Sequence, residues 1–433
     1  MDKFVIEGGI RLSGTVGIQA SKNAVLPILA ASLLVEKGET KIEDVPDLAD
    51  VKIMLQVLEK LGAKVQICGD DNLTGSPSRR RVVINAEHLK SFEAPYELVS
   101  KMRASFLVMG PLLTRFRKAK VSLPGGCVLG PRPVNLHLSG FARLGAKIKE
   151  EHGYVIAHGE RLSGNLICFD RPTHTGTENI LMTACLVEGK TTIVNAACDP
   201  EVVDLAKFLN RMGAKIKGAG SSTIYVEGVK RLKATKHTPI PDRLDAATFL
   251  MAACVTRGDV ELKNVIPEHV RMVTHKLKEM GAEISEDEKR ITLKGPKMLK
   301  PISVTTYPHP GFPTDVQASI MALTCIADGT SQIRETIFEE RFAHVMELCR
   351  LGADIKISGD RATINGVPRL KGASVMASDI RGGAGLALAG LAAEGTTEVL
   401  RVYHIDRGYD HMEERLAFLG AKIRRVKSKK KKA

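Results

Sequence analysis

The chain has 433 residues, more than one hydrophobic core holds, since cores stop growing at roughly 250–300 residues; two or three domains are expected. A composition of 44% hydrophobic and 4% aromatic residues without Trp excludes a disordered chain and calls for aliphatic cores. The net charge of +14 admits nucleic acid, an acidic membrane or small anionic substrates as partners, while eight cysteines without Cys-x-x-Cys or zinc-type Cys/His spacing suggest neither a disulfide framework nor a metal site.

The opening "MDKFVIEGGI" has no basic-then-apolar leader pattern, and no apolar run approaches the roughly 18–20 residues of a membrane span; a cytoplasmic chain without membrane insertion is expected. The first apolar helix, "VLPILAASLL" (25–34), ends at the turn "KGET" and passes into a strand. An amphipathic run follows, with Met54, Leu55, Leu58 and Leu61 at helical spacing. It ends in "LGAKV", where the glycine suits the left-handed cap of a helix and Val opens a strand that continues into a hairpin.

That phrase returns along the whole chain. Its glycines are Gly62, Gly145, Gly213, Gly281, Gly352 and Gly420, spaced by 68 to 83 residues. Before each copy lies an apolar helix rich in small residues: after the first come "SFLVMGPLL", "ILMTACLV", "TFLMAACV", "SIMALTCIA" and "LALAGLAA". A helix apolar on all sides is a buried one. The spacing therefore predicts six repeats of a helix, strand, helix, strand, strand unit, arranged as one solenoid or as two three-unit lobes; basic loops recurring across the units favour two facing lobes.

Polar residues collect just before the buried helices, in "SKNA" (21–24), "KMRA" (101–104), "THTGTEN" (173–179), "PDRLD" (241–245), "FPTDVQ" (312–317) and "SDIRGG" (378–383). Helix N-termini bind anions, and Lys22, Arg103 and Arg381 would reinforce this. Plain capping by Ser21, Thr177, Thr314 or Ser378 is the alternative, but it does not account for cations that oppose the helix dipole. Arg341 and Arg407, in the loops before the amphipathic helices, are anion-contact candidates that Glu339 and Asp406 could orient; surface ion pairing is the competing reading.

Two residues stand out further. Cys127 lies in "LPGGCVLGPRPVNLH" (123–137), where the second unit is longer than its siblings, and Arg132 would favour its reactive thiolate form. The other seven cysteines sit in apolar surroundings by sequence, with Cys185, Cys254 and Cys325 reading as buried and inert. Asp315, in "YPHPGFPTDVQ", suits either an N-cap or a general base. Residues 424–433 read as a solvated basic tail.

Taken together, "SKNAVLPILAASLL", "MRASFLVMGPLL", "LPGGCVLGPRPVNLHLSG", "PHPGFPTDVQA", "FEERFAHV" and "YHIDRGY" closely resemble the enolpyruvate transferases, over nearly the whole chain. The resemblance implies an α/β fold of two inside-out barrels, with lobes at 22–240 and at 1–21 plus 241–433. It implies transfer of the enolpyruvyl group of phosphoenolpyruvate to the 3′-hydroxyl of UDP-N-acetylglucosamine, with phosphate released and no metal or organic cofactor.

By the same resemblance Lys22, Arg103, Arg132 and Arg407 are the cations that hold phosphoenolpyruvate, with Asn23 nearby. Cys127 is the general acid and the site of alkylation by fosfomycin, Asp315 is the base, and Asp379 with Arg381 forms a neighbouring pair. Arg132, Pro133, Val134, Asn135 and Leu136 meet the uridine, and Arg171, Pro172, Thr173, His174 and Ile337 make other sugar-nucleotide contacts. The chain departs from relatives at Thr173–Thr175, Asn135 and Ala49, departures that bear on the details of nucleotide contact more than on the chemistry. A sister activity on shikimate 3-phosphate is the nearest alternative, disfavoured by the cysteine loop and "RPVNLH". A nucleic-acid-binding scaffold lacks aromatic interleaving and a recognition module.

Overall fold

The structure, a computed structural model, describes residues 2–69, 76–123 and 134–427. Each of the six repeated glycines has a left-handed backbone, with φ between +93° and +104°. In each, the glycine N–H donates back to a carbonyl three residues earlier, and the following alanine N–H to one five residues earlier, as in Gly62 to Glu59 and Ala63 to Leu58. Paired bonds of this kind close a helix and set the angle at which the next strand leaves, so one short phrase fixes the same helix-to-strand corner six times.

Among the described residues the strands form six sheets of four, all with one order. In the first, Lys236–His237 lies parallel to Glu39–Val45, which pairs antiparallel with Arg80–Asn85 and through it with Lys64–Cys68. The parallel edge strand is not part of the predicted unit: each sheet adds one to its three other strands, and in the first sheet it comes from much later in the chain. The last unit ends after one hairpin strand, Lys422–Val426, and the N-terminal Lys3–Glu7 supplies the other, pairing with Thr396–Leu400 on its far side. Phe4 and Ile6 turn inward from it and are fully buried. Arg424–Val426, expected in the tail, are therefore sheet residues; residues 428–433 lie outside the described ones.

Buried side chains group into two clusters. One is built from Ala20 through Leu232, the other from Phe4 through Ile18 together with Leu244 through Ile423. Each holds three apolar helices with sheets around them: in the first His174–Ala184 packs against both Lys22–Ala31 and Met109–Phe116, and in the second Arg243–Val255, Gln317–Thr324 and Ile380–Ala392 all pack against one another. Small residues permit this approach. A Cβ at Gly385 would stand 2.7 Å from the Ala318 carbonyl oxygen, and one at Gly110 2.3 Å from Thr183 Oγ1, so a larger residue at either would force the helices apart. The chain passes between the clusters twice, and the two crossings pair: Ser21 N–H donates to the Ile240 carbonyl and Asp242 N–H to that of Gln19, both at 2.8 Å.

No helix among the described residues is long and apolar enough to cross a membrane. Cys185, Cys254 and Cys325 are buried, but Cys68 and Cys168 are exposed on strands rather than sheltered.

Candidate active site

The helical segments in the two clusters begin on charged side chains. Lys22, Arg103, His174 and Arg243 are first residues, Asp315 is second in the Thr314–Val316 turn, and Arg381 is second in Ile380–Ala392. Capping is carried by residues other than those expected: Thr173, Asp242 and Asp379 accept first-turn N–H groups. Thr177 Oγ1 instead accepts from Ala197 N–H, Thr314 Oγ1 donates to Glu335, and Ser378 Oγ donates to Asp379. Ser21 Oγ is buried without a partner among the described residues.

Carboxylates join these cations in three groups. In the first, Asp50, 2% exposed, receives Lys22 Nζ at 3.3 Å on one oxygen and Arg407 Nε at 2.8 Å on the other. Burial pushes the Lys22 pKa down, Asp50 opposes the shift, and Arg381 and Arg407 add to it. Asp406, expected to orient Arg407, instead binds Arg425, at 3.0 Å from Nη1.

In the second group Asp315 Oδ1 accepts from Arg341 Nη2 at 2.9 Å, with Arg381 Nε at 3.6 Å. Burial alone would raise the Asp315 pKa, but Arg381 and then Arg341 hold the carboxyl well below the usual range. The Arg381 guanidinium lies 5.2 Å from the Tyr409 ring centre, and its Nη1 is buried with no hydrogen-bond partner among the described residues. Asp379 spends one oxygen on the N–H groups of Arg381 and Gly382, so it positions Arg381 through the backbone.

The third group holds His174, Glu178, Asp199, Glu201 and Arg243. His174 Nε2 lies 3.0 Å from Glu178, while Arg243 donates to Asp199 at 2.8 Å and to Glu201 at 3.0 Å. Burial disfavours the imidazolium, yet Glu178 and then Asp199 outweigh it and raise His174 to about 10, so it is a cation at neutral pH. His174, Asp199 and Glu201 come close enough to share a metal ion, but Arg243 and the charged imidazole already answer both carboxylates.

Of the nucleotide-side residues, Arg171 and Pro172 are exposed and Thr173 and His174 half-buried; Val134 is buried and Asn135 exposed at the start of the Asn135–Arg143 helix. His137 joins that helix to His174–Ala184. Its Nδ1 accepts from Asn179 Nδ2, so the proton sits on Nε2, 3.2 Å from Thr175 Oγ1. Burial holds its pKa down at about 3, so the imidazole is neutral. Ile337 N–H donates to Glu335, whose carboxylate also takes the hydroxyls of Thr306 and Thr314; one buried acid thus ties the segment before Asp315 to Ile337. Cys127, Arg132 and Pro133 lie outside the described residues.

Asp50 and Glu335 were not singled out by sequence. An acid in the first turn of an amphipathic helix is an ordinary complement to the dipole, and nothing local marks Glu335 as a junction.

The sequence profile described as EPSP synthase (3-phosphoshikimate 1-carboxyvinyltransferase) matches residues 6–416. A UDP-N-acetylglucosamine 1-carboxyvinyltransferase of Caldanaerobacter subterraneus subsp. tengcongensis is 53% identical, covering 98% of this chain and 99% of its own. The chain belongs to the enolpyruvyl transferase family, in the UDP-N-acetylglucosamine 1-carboxyvinyltransferase branch. A second member, from Geobacter metallireducens, is 51% identical over 99% of this chain and all of its own. The family fold is also seen in the enolpyruvyl transferase NikO from Streptomyces tendae, with a TM-score of 0.85 at 24% identity over 99% of both chains. The Acinetobacter baumannii EPSP synthase is more distant, at a TM-score of 0.71 and 18% identity. The profile bears the shikimate enzyme's description, but relatives at half identity or more over full length carry the UDP-sugar name.

Proposed function

We propose that this enzyme transfers the enolpyruvyl group of phosphoenolpyruvate to the 3′-hydroxyl of UDP-N-acetylglucosamine and releases phosphate, the first committed step of peptidoglycan precursor synthesis, in the cytoplasm. The observation that carries the reading is the meeting of Lys22, Arg407, Arg381 and Arg341, from both clusters, around Asp50 and Asp315. A trianionic substrate needs cations gathered in this way, held where closure excludes water. The two clusters act as lobes, 22–240 and 1–21 plus 241–433, that close about the paired crossings.

In the chemical step Asp315 accepts the proton of the 3′-hydroxyl as that oxygen bonds to C2 of phosphoenolpyruvate. The Cys127 thiol delivers a proton to C3, and the double bond becomes a single bond. Return of a C3 proton to the Cys127 thiolate then restores the double bond and expels phosphate, which carries away the proton held by Asp315. Lys22, Arg103, Arg132 and Arg407 hold the phosphoenolpyruvate anion, with Asn23 beside Lys22. Arg132 to Leu136, Arg171 to His174 and Ile337 meet the nucleotide sugar, and protonated His174 suits its diphosphate.

The test is phosphate release from phosphoenolpyruvate, with UDP-N-acetylglucosamine and shikimate 3-phosphate compared as acceptors. Release only with the UDP-sugar supports the reading; no release with either, or release with shikimate 3-phosphate alone, overturns it. Fosfomycin should add one mass increment to the protein, mapped to Cys127 by peptide digestion. Cys127→Ala protein should take none and should lose turnover near neutral pH; full activity in that variant would remove the thiol from the mechanism.

A further inference from the structure

Asp50 has no part in the chemistry described above, yet it sits at the centre of it. It is the second residue of the Ala49–Lys60 helix, in the first cluster. Its oxygens are divided between Lys22, at the head of a buried helix in the same cluster, and Arg407, at the end of the Val402–Arg407 turn in the other. The Arg407 segment is secured to the first cluster a second time. Three residues on, the Asp410 carboxylate, fully buried, accepts from Ser78 N–H at 2.7 Å, from Ser78 Oγ at 3.3 Å and from Asp47 N–H at 3.4 Å. Arg407 therefore reaches Asp50 from a backbone already tied beside the Ala49–Lys60 helix.

We propose that Asp50 is a positioning residue: it holds Lys22 and Arg407, cations of two separate clusters, in register for one phosphate group before that group arrives. The proposal rests on the reading that these two cations receive the phosphate of phosphoenolpyruvate. Without a carboxylate between them, two cations this close would repel, and the half-exposed Arg407 would turn to solvent.

Asp50 also opposes the loss of charge by Lys22. The groups facing Lys22 are Asp50, Arg381, Arg407 and Asp315, with Asp242 accepting its backbone N–H. Asp50 is the stronger of the two acids opposing burial and the two arginines. Replacing it by Asn would let Lys22 lose its proton at lower pH. Bound phosphate restores the missing negative charge, so the deficit falls on capture of the anion and much less on turnover once the site is filled.

The experiment compares wild type, Asp50→Asn and Asp50→Glu by calorimetric binding of inorganic phosphate in the presence of UDP-N-acetylglucosamine, at about pH 6.5 and about pH 9. Phosphate's own ionisation is common to all three. The Asn variant should bind about tenfold more weakly than wild type at the higher pH and within about twofold at the lower, the loss of one charge-assisted contact. Its KM for phosphoenolpyruvate should rise with the same pH dependence while kcat stays within a few-fold, and the Glu variant should recover part of the affinity. Tighter phosphate binding by Asp50→Asn at both pH values would show that Asp50 competes with the anion, and equal binding at both would show that it is structural; either overturns the proposal. If wild type binds phosphate but releases none from phosphoenolpyruvate, the functional reading fails instead. Equal loss at both pH values in both variants, with lowered thermal unfolding midpoints, would also refute it.

Discussion

Asp315→Asn should lower kcat by about 10²–10⁴-fold, the usual contribution of a positioned general base, with the KM for UDP-N-acetylglucosamine within a few-fold of wild type. Asn keeps the shape and the hydrogen-bond acceptor that Arg341 Nη2 uses at 2.9 Å, so the loss reports the proton-accepting oxygen and not a collapsed site. Activity within tenfold of wild type would remove Asp315 from the proton transfer.

The environment of Asp315 also sets the pH behaviour. Arg381 and Arg341 hold its carboxyl well below the ordinary range despite burial, so in the free enzyme it stays ionised through the pH range where ordinary carboxylates titrate. The profile of kcat/KM, which reports free enzyme, should show no acidic limb from Asp315 near the usual carboxylate pKa of about 4. A carboxylate so strongly stabilised is a weak base. When the substrate's anionic groups engage the arginines, that stabilisation falls and the basicity of Asp315 rises, so the kcat profile should carry an acidic limb at higher pH than kcat/KM does. For stability the sign is the usual one for a depressed acid: the contribution is present above the unfolded pKa of about 3.9 and is lost as pH falls towards the folded value.

The repeat was legible because it rests on local chemistry. A glycine after an amphipathic run can close a helix by its own backbone, and all six copies do so. The parallel edge strands were hidden for the opposite reason. Lys236–His237 is two residues long and gains its meaning from Glu39–Val45, almost two hundred positions away in the chain; likewise "KFVIE" at the start reveals nothing of the sheet at the C-terminus that it completes. In the site, Lys22, Arg103 and Arg381 were legible because a cation at a helix N-terminus violates the dipole rule and so asks for a reason. Asp50, which obeys that rule, drew no notice. Asp379 caps its helix by the same logic that suggests the neighbouring Ser378, and the sequence does not say which of two adjacent acceptors will face the first turn.

Arg415→Met should destabilise the protein by about 3–5 kcal/mol, the cost of leaving one member of a buried ion pair alone. Arg415 is 1% exposed and its partner Asp245 fully buried, joined by two bonds of 2.7 and 2.8 Å. The same guanidinium donates to the Asp410 carbonyl at 2.8 Å and to Gln19 Oε1 at 3.3 Å, and stacks 4.5 Å from the Phe249 ring centre. Denaturant unfolding measures the loss, and the double variant Asp245→Leu/Arg415→Met separates two explanations. Recovery of most of the stability would assign the cost to the orphaned charge, because an apolar pair of similar volume replaces a buried ion pair at little expense. No recovery would assign it to the bonds at Gln19 and Asp410. Those bonds join the first crossing to the segment that carries Arg407, since Gln19 Oε1 also accepts from Asp410 N–H at 2.8 Å. If they are the larger part, the stability-restored double variant should still show a raised KM for phosphoenolpyruvate, because Arg407 would no longer be delivered to Asp50 from a fixed backbone.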